Sequence, residues 1–379
     1  MFGYPANLCA RSNLTMGLAF LDAMSYLGNN CGDPDSNAKN DDDNNYAMDT
    51  KLYEKEVVKT VAENLGIFGD VFGYITSGGS ESNQFAIVNG FTNFPGATAY
   101  YCQAAHYSIA KALDRYPMVE IAQKSEFDES VDVQKLVATA CEKWHQHKMP
   151  AVIMTTFGTT KFGSIDNVSA ITKELKSSGV PYYLHIDAAF FGGIPNNQID
   201  APRVGNWDKL GADSISVSLH KYIGYPQVGS VFISNKRRDA NIVEYIGQAD
   251  NTFCGSRSIP AFSLLQHTRD VLNSSEPHDY SRNIKITEQY FISANLPFLR
   301  QPKSNIFVVY VDAARPGFKA VCKKYQLSGF TDIAGRQCLH VITFPFHRPE
   351  IISELTMDLA RISDMRMCGV LDAVKTSCK

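Results

Sequence analysis

The chain has 379 residues, of which 44% are apolar and 20% charged, and its net charge is −3. That balance is ordinary for a water-soluble globular protein with room for one large domain and a smaller one. It excludes a nucleic-acid binder built on clustered Lys and Arg, and no apolar run approaches the roughly 18 to 20 residues that span a bilayer. The nine cysteines are scattered without a CxxC pair, so neither a zinc ribbon nor a disulfide framework is indicated. Met1-Phe2-Gly3-Tyr4-Pro5 lacks the basic start and apolar stretch of a signal peptide. The expectation is a cytoplasmic protein with reduced thiols, holding no metal and binding neither nucleic acid nor membrane.

Gly3 to Asn7 reads as a turn, Leu14 to Leu27 as a helix or buried segment, and Asn29 to Pro34 as a break. Residues 33–46 form an acidic, polar run containing Asp41-Asp42-Asp43, expected to be an exposed loop. Leu52, Val57, Val58, Val61 and Leu65 then recur at helical spacing, with Gly66 as a stop signal. From Gly73 the pattern alternates between strands and helices, which predicts a mainly parallel sheet covered on both faces. The strands are expected at Tyr74–Thr76, Ala99–Cys102, Ala151–Thr156, Tyr182–Ile186, Ser214–Val217 and Gly229–Ile233. Helices are expected at Glu81–Gly90, from about Tyr107, at Glu129–Lys148 and at Val168–Ser178. After Pro260 a long helical stretch runs toward Ser293. Strands at Ile306–Val311 and Leu339–Thr343 and a helix at Ile351–Ile362 follow, forming a smaller α/β unit. The division predicted is an N-terminal segment, 1–50, a large domain, 51–260, and a small C-terminal domain, 261–379.

In such sheets ligands sit at the carboxyl ends of strands, where the residues with chemistry collect. Lys221 closes the run Ser216-Val217-Ser218-Leu219-His220-Lys221. Most lysines are solvated surface cations, but one delivered at the end of a buried strand is a candidate for a lowered pKa and a covalent imine. Ser77-Gly78-Gly79-Ser80 lies at a strand-to-helix junction and offers N–H groups and a hydroxyl to a phosphate; about half of such turns are plain connections. Asp187 ends an apolar strand and would by itself be a turn cap. The small Ala188 and Ala189 beside it leave room for a flat ring whose nitrogen the carboxylate could keep protonated. His106 is alone a partly buried histidine or helix cap; beside such a ring its imidazole can stack. Thr159, in a loop otherwise readable as an ordinary turn, could reach the ring hydroxyl or support Asp187.

Taken in order, phosphate turn, histidine, threonine loop, aspartate and lysine resemble the fold-type I pyridoxal-phosphate enzymes. More narrowly they resemble the group II amino-acid decarboxylases, in the histidine-decarboxylase branch that includes plant serine decarboxylases. The motifs are Gly3-Tyr4-Pro5, Asn29-Asn30-Cys31-Gly32-Asp33, Gly73 through Asn83, His106-Tyr107-Ser108 and Gly158-Thr159-Thr160. Further on come Gly163 through Asp166, His185-Ile186-Asp187-Ala188-Ala189, Ser216 through Lys221 and Gly255-Ser256-Arg257.

The resemblance implies an amino-acid decarboxylase using pyridoxal 5′-phosphate, a homodimer with shared active sites. Lys221 would hold the cofactor covalently, with Asp187 on the ring nitrogen and His106 stacked on the ring. Thr159 and Ala189 would flank it, and Gly79, Ser80, Ser218 and His220 would hold the phosphate. Ser256 would reach a phosphate across the dimer interface. A tyrosine on a mobile loop returns the proton to Cα in relatives; Tyr245, before the Gly247–Gly255 loop, is the candidate and His220 the second.

The departures concern the substrate. Phe190-Phe191-Gly192-Gly193 replaces a leucine-serine-glycine run, Ser258-Ile259 replaces an asparagine-glycine pair, and the acidic run reads as an insertion. The N-terminal arm used in dimer interlocking reads as shortened. Tyr4 and Phe190 are expected to shape the substrate pocket. Histidine, converted to histamine, ranks first, with serine, aspartate, aromatic or branched amino acids as alternatives. Another pyridoxal-dependent lyase on this fold and a non-catalytic relative are the competing readings.

Overall fold

In the computed structural model, residues 1–7, 30–34, 50–235, 242–245, 247–257, 260–273 and 280–377 are described. The segment from Leu14 to Leu27, the acidic run at Asp41–Asp43, and Ser258-Ile259 lie outside them.

Helix α1 (Lys51–Asn64) turns Val57, Val58 and Val61 inward. Leu52, counted in its apolar spacing, is exposed, and the inward place in the first turn goes to Glu54. Next come β2 (Phe72–Thr76; the short β1 is Asn30–Cys31), α2 (Gly79–Asn93), β3 (Thr98–Cys102), α3 (Tyr107–Leu113) and β4 (Met118–Ile121). A hairpin of β5 (Gln123–Ser125) and β6 (Asp128–Val131) precedes α4 (Val133–His147), β7 (Ala151–Thr156), α5 (Val168–Ser177) and β8 (Tyr182–Asp187). A short α6 (Trp207–Leu210), β9 (Ser214–Ser218) and β10 (Ser230–Ser234) complete the large unit. The helix expected from Glu129 begins only at Val133. The Glu129 N–H donates to Ser164 Oγ (3.0 Å) and that of Val131 to Asp166 Oδ1 (2.6 Å), which holds this stretch extended. The Asp132 carboxylate then caps α4 by accepting from the Lys135 N–H.

The strands form a seven-stranded sheet in the order β2-β10-β9-β8-β7-β3-β4. The run from β9 to β4 is parallel, while β10 is antiparallel to both β9 and β2. β2 therefore points with the parallel set, and six strands release their carboxyl ends at one edge. Strands β2, β3, β7, β9 and β10 are buried at every position, as layers of helix on both faces require.

The helical stretch after Pro260 is two helices, α7 (Ala261–Leu272), packed along α1, and α8 (Tyr280–Ser293). A four-stranded antiparallel sheet follows, ordered β14-β15-β17-β16, with strands Phe298–Arg300, Ile306–Tyr310, Gln337–Ile342 and Gly329–Thr331 respectively. Helices α9 (Phe318–Tyr325), α10 (Pro349–Ile362) and α11 (Met367–Ser377) belong to this unit.

Two long-range closures matter for the site. Strand β1 pairs with β13 (Ser256–Arg257), so the Asn30-to-Asp33 and Gly255-to-Arg257 motifs meet. The chain's first residues dock on the small sheet: Ile342 N–H donates to the Phe2 carbonyl (2.7 Å) and Phe2 N–H to that of Tyr325 (3.0 Å). The Asn7 N–H then donates to the Lys221 carbonyl (3.0 Å), carrying the segment across to the large unit. Among the described residues, no helix is long and apolar enough to cross a membrane.

Candidate active site

The loops leaving β2, β3, β7, β8 and β9 build one wall of a cavity of about 520 Å³. The small sheet supplies the facing wall through Ile306, Ser328, His340 and Ile342, and Gly3, Tyr4 and Pro5 line it as well. Lys221 is in this cavity. Burial pushes its ammonium pKa below the ordinary lysine value, and the Asp187 carboxylate opposes that shift. An amine in this state is available as a nucleophile.

Asp187 and His106 share the cavity with Lys221. Each Asp187 oxygen has a fixed donor: Asn83 Nδ2 to Oδ2 at 2.8 Å and the Ala189 N–H to Oδ1 at 3.1 Å. His106 caps a helix and borders the cavity. Its Nδ1 caps α3 by accepting from the Ser108 N–H (3.3 Å), with Ser108 Oγ at 2.8 Å, and the same ring lines the cavity. Burial first, then the nearby Lys221, lower its pKa, with Asp187 opposing.

The turn after β2 carries Ser77 on Glu81, whose Oε2 accepts from the Ser77 N–H (2.9 Å) and Oγ (2.5 Å). Helix α2 begins at Gly79 with no side-chain cap, so its first N–H groups are left for a ligand. A Cβ on Gly79 would lie 3.3 Å from Ser218 Oγ, which shows how closely this turn approaches the end of β9. His220 Nδ1 is anchored to the Gly229 carbonyl at 3.1 Å. Gly79, Ser80, Ser218 and His220 all line the cavity, as do Ala189, Thr159, Tyr4 and the buried Phe190.

The other expected residues are placed as follows. The Thr159 hydroxyl oxygen accepts from the Ser164 N–H (3.0 Å), and Thr159 lines the cavity. Thr156 is in register with Asp187 and lines the cavity; its buried Oγ1 has no partner among the described residues. Tyr245 is 82% exposed in the turn between β11 (Ile242–Val243) and β12 (Gln248–Ala249), away from the cavity lining. Ser256 lines a neighbouring cavity of about 270 Å³, which shares Ser77, Glu81 and Val228 with the first. Thr156, Ser328 and His340 were not singled out by sequence, because an isolated polar residue carries no motif, and Asn83 was read only as the last residue of the Gly73-to-Asn83 motif, with no role of its own.

A model of the pyridoxal-dependent decarboxylase conserved domain matches residues 92–252. Histidine decarboxylase of Pseudomonas entomophila is 30% identical over 370 residues, covering 94% of this chain and 85% of that protein. That of Acinetobacter baumannii is 30% identical over 347 residues, covering 87% and 85%. The chain belongs to the pyridoxal-dependent decarboxylases. As a member it is a carboxy-lyase working with pyridoxal 5′-phosphate. Its fold is that of the fold-type I enzymes: L-methionine decarboxylase from Streptomyces sp. 590 superposes with a TM-score of 0.75 at 18% identity, covering 96% of this chain and 92% of that one. The cavity suits the decarboxylase cofactor on its own chemistry. It offers a half-buried amine with lowered pKa, a doubly held carboxylate, an uncapped helix N-terminus, and a buried hydroxyl at Thr156 with no partner among the described residues.

Proposed function

We propose that this decarboxylase acts on L-histidine, releasing carbon dioxide and histamine at the cavity around Lys221. The observation that carries the reading is the half-buried Lys221, its pKa lowered by desolvation, in one cavity with Asp187 and His106. Bound there, pyridoxal phosphate would supply a cationic conjugated ring that takes up the electron pair freed when the Cα–carboxylate bond breaks.

The protein's own residues take the remaining parts. Lys221 Nζ would hold the cofactor covalently. Asp187 would keep a proton on its ring nitrogen, and His106 would lie against the ring. Thr159 and Ala189 would border it. Gly79, Ser80, Ser218 and His220 would hold the phosphate, and Ser256 of a second copy would add a hydroxyl across a homodimer interface. The proton returned to Cα would come from Tyr245, on the exposed turn after β11, or from His220, which lines the cavity.

The facing wall supports a substrate side chain that donates a hydrogen bond. His340 is 9% exposed, and its Nε2–H donates to the Gly3 carbonyl at 3.0 Å. Its Nδ1 is therefore an acceptor, buried and without a partner among the described residues. An imidazole N–H answers that acceptor and a carboxylate side chain would repel it, while Tyr4 and Phe190 supply aromatic contact. The histidine decarboxylases at 30% identity support the same substrate. In this reading the chain divides into a segment 1–50, a large domain 51–260 and a small domain 261–379. The cytoplasm fits the free thiols of Cys102, Cys141, Cys254, Cys322 and Cys338.

The experiment is a panel of amino acids with mass-resolved products. Histamine from L-histidine, faster than ethanolamine from L-serine, is expected. An amine from another amino acid with none from histidine would replace the substrate. Light scattering in solution tests the dimer.

A further inference from the structure

Behind the cavity floor lies a row of buried polar side chains that ends on Asp187. Tyr183 Oη is 2.7 Å from Ser214 Oγ, Ser214 Oγ is 2.8 Å from His185 Nδ1, and His185 Nε2 is 3.1 Å from Asn83 Oδ1. Asn83 Nδ2 is 2.8 Å from Asp187 Oδ2. Tyr183, Ser214, His185 and Asn83 are each at most 1% exposed. They come from three elements, β8, β9 and α2, so the row exists only in the folded sheet.

The proton positions along this row follow from one fact at its end. A carboxylate only accepts, so Asn83 must present its NH₂ to Asp187 and its carbonyl oxygen to His185. That oxygen accepts, so His185 carries its proton on Nε2. Complete burial keeps the imidazole neutral at physiological pH, with its pKa pushed down to about 4. Nδ1 is then a lone pair, and the Ser214 hydroxyl donates to it. With that proton committed, Ser214 Oγ can take only the Tyr183 O–H. Ser216 Oγ, 3.4 Å from both Asn83 Oδ1 and His185 Nε2, adds a longer contact at the same junction.

We propose that Tyr183, Ser214, His185 and Asn83 form a one-way hydrogen-bond relay that holds Asp187 ionised and so sets how firmly the cofactor ring nitrogen keeps its proton. The relay rests on the assignment of Asp187 to that nitrogen. Every bond in it points its proton toward the carboxylate, and bonds aligned in one sense polarise one another inside a low-dielectric interior. The same alignment explains why β9 alternates serine with isoleucine and valine although both of its faces are buried: Ser214 and Ser216 turn to the relay, Ile215 and Val217 to the core. These are positioning residues, since only Asn83 and Asp187 line the cavity.

The test uses the holoenzyme reconstituted with pyridoxal phosphate labelled with ¹⁵N in the ring, read by the ¹⁵N chemical shift and the visible absorbance of the protein-bound cofactor. His185→Gln keeps the pattern, because the amide NH₂ can donate to Asn83 while its oxygen accepts from Ser214. His185→Leu breaks it at similar size. Ser214→Ala removes one donor with almost no change of shape and carries the test should the leucine variant fail to fold. The wild type and His185→Gln are expected in the protonated-ring range. His185→Leu and Ser214→Ala are expected to move toward unprotonated pyridine, with the ring's proton affinity lowered on the order of tenfold; Tyr183→Phe should move less. Ser214→Ala with normal visible absorbance and the wild-type ¹⁵N position would overturn the relay alone. A wild type that binds the cofactor with an unprotonated ring would instead overturn the role given to Asp187, and the relay with it.

Discussion

Removing Arg257 should unfold more than its own corner of the protein. The Glu54 carboxylate has no solvent exposure and receives four donors. Oε1 accepts from the Ile75 N–H (2.9 Å) and Arg257 Nε (3.2 Å), and Oε2 from Arg257 Nη2 (3.1 Å) and Asn30 Nδ2 (2.8 Å). Arg257 also donates to the Gly32 carbonyl (2.9 Å) and Thr252 Oγ1 (3.0 Å), with its guanidinium 5.5 Å from the centre of the Tyr74 ring. Arg257→Met leaves a buried carboxylate with neutral donors only, a loss of about 3–5 kcal/mol. Glu54→Gln keeps an acceptor for Ile75, and the double variant should cost about 2 kcal/mol less than the two single losses added together, because the pair is coupled. The assay is urea unfolding of the three variants, followed by circular dichroism. Since Ile75 is in the strand that leads into Ser77 and Gly79, cofactor retention should fall in the same order. A cost below about 1 kcal/mol for Arg257→Met, or strict additivity in the cycle, would refute the reasoning.

Other outcomes follow from single contacts. Gly158 has φ of 101°, and an added Cβ would stand 2.6 Å from the Phe191 ring. Gly158→Ala should therefore cost on the order of 1–3 kcal/mol and lower cofactor occupancy, measured by equilibrium dialysis. His185 and His347 have folded pKa values lowered by burial from 6.5 to about 4. Unfolding takes up protons at both, so their stability is full above pH 6.5 and is lost as pH falls toward 4, by about 3 kcal/mol each. Asp166, raised by burial to about 6, works in the opposite sense, favouring the native state as pH falls below 6. Urea midpoints against pH should thus decline below 6.5, and His347→Gln should flatten the slope. His340→Leu should raise KM for histidine about tenfold or more with a smaller change in kcat, since it removes the buried acceptor; steady-state kinetics check this.

The parallel core was legible because each strand is an apolar run bounded by a turn, and each strand end carries a residue with chemistry. Ser77 to Ser80, His106, Asp187 and Lys221 could be placed by that logic alone. What could not be read was pairing across long separations. Glu54 looks like the polar side of an amphipathic helix until Arg257, 203 residues on, is placed against it. Phe2 gives no hint that it adds to the edge of a sheet formed after residue 298, beside the ring of His347 at 4.0 Å. His185 and Asn83 fall within recognised motifs but carry no role there, and only the sheet order puts them on one line with Asp187. The short β4, β5, β6, β14 and β16 were missed for a related reason. Strands of three or four residues have too little alternation to show, and their register is fixed by neighbours such as Asp166.

The most direct test of the central claim is where the cofactor is attached. The purified protein with pyridoxal phosphate should absorb in the visible, and borohydride reduction followed by peptide mass mapping should place the added pyridoxyl group on Lys221. Lys221→Ala should lose both the band and the label. A reduced label on another lysine, or a Lys221→Ala protein with the wild-type spectrum, would contradict the account.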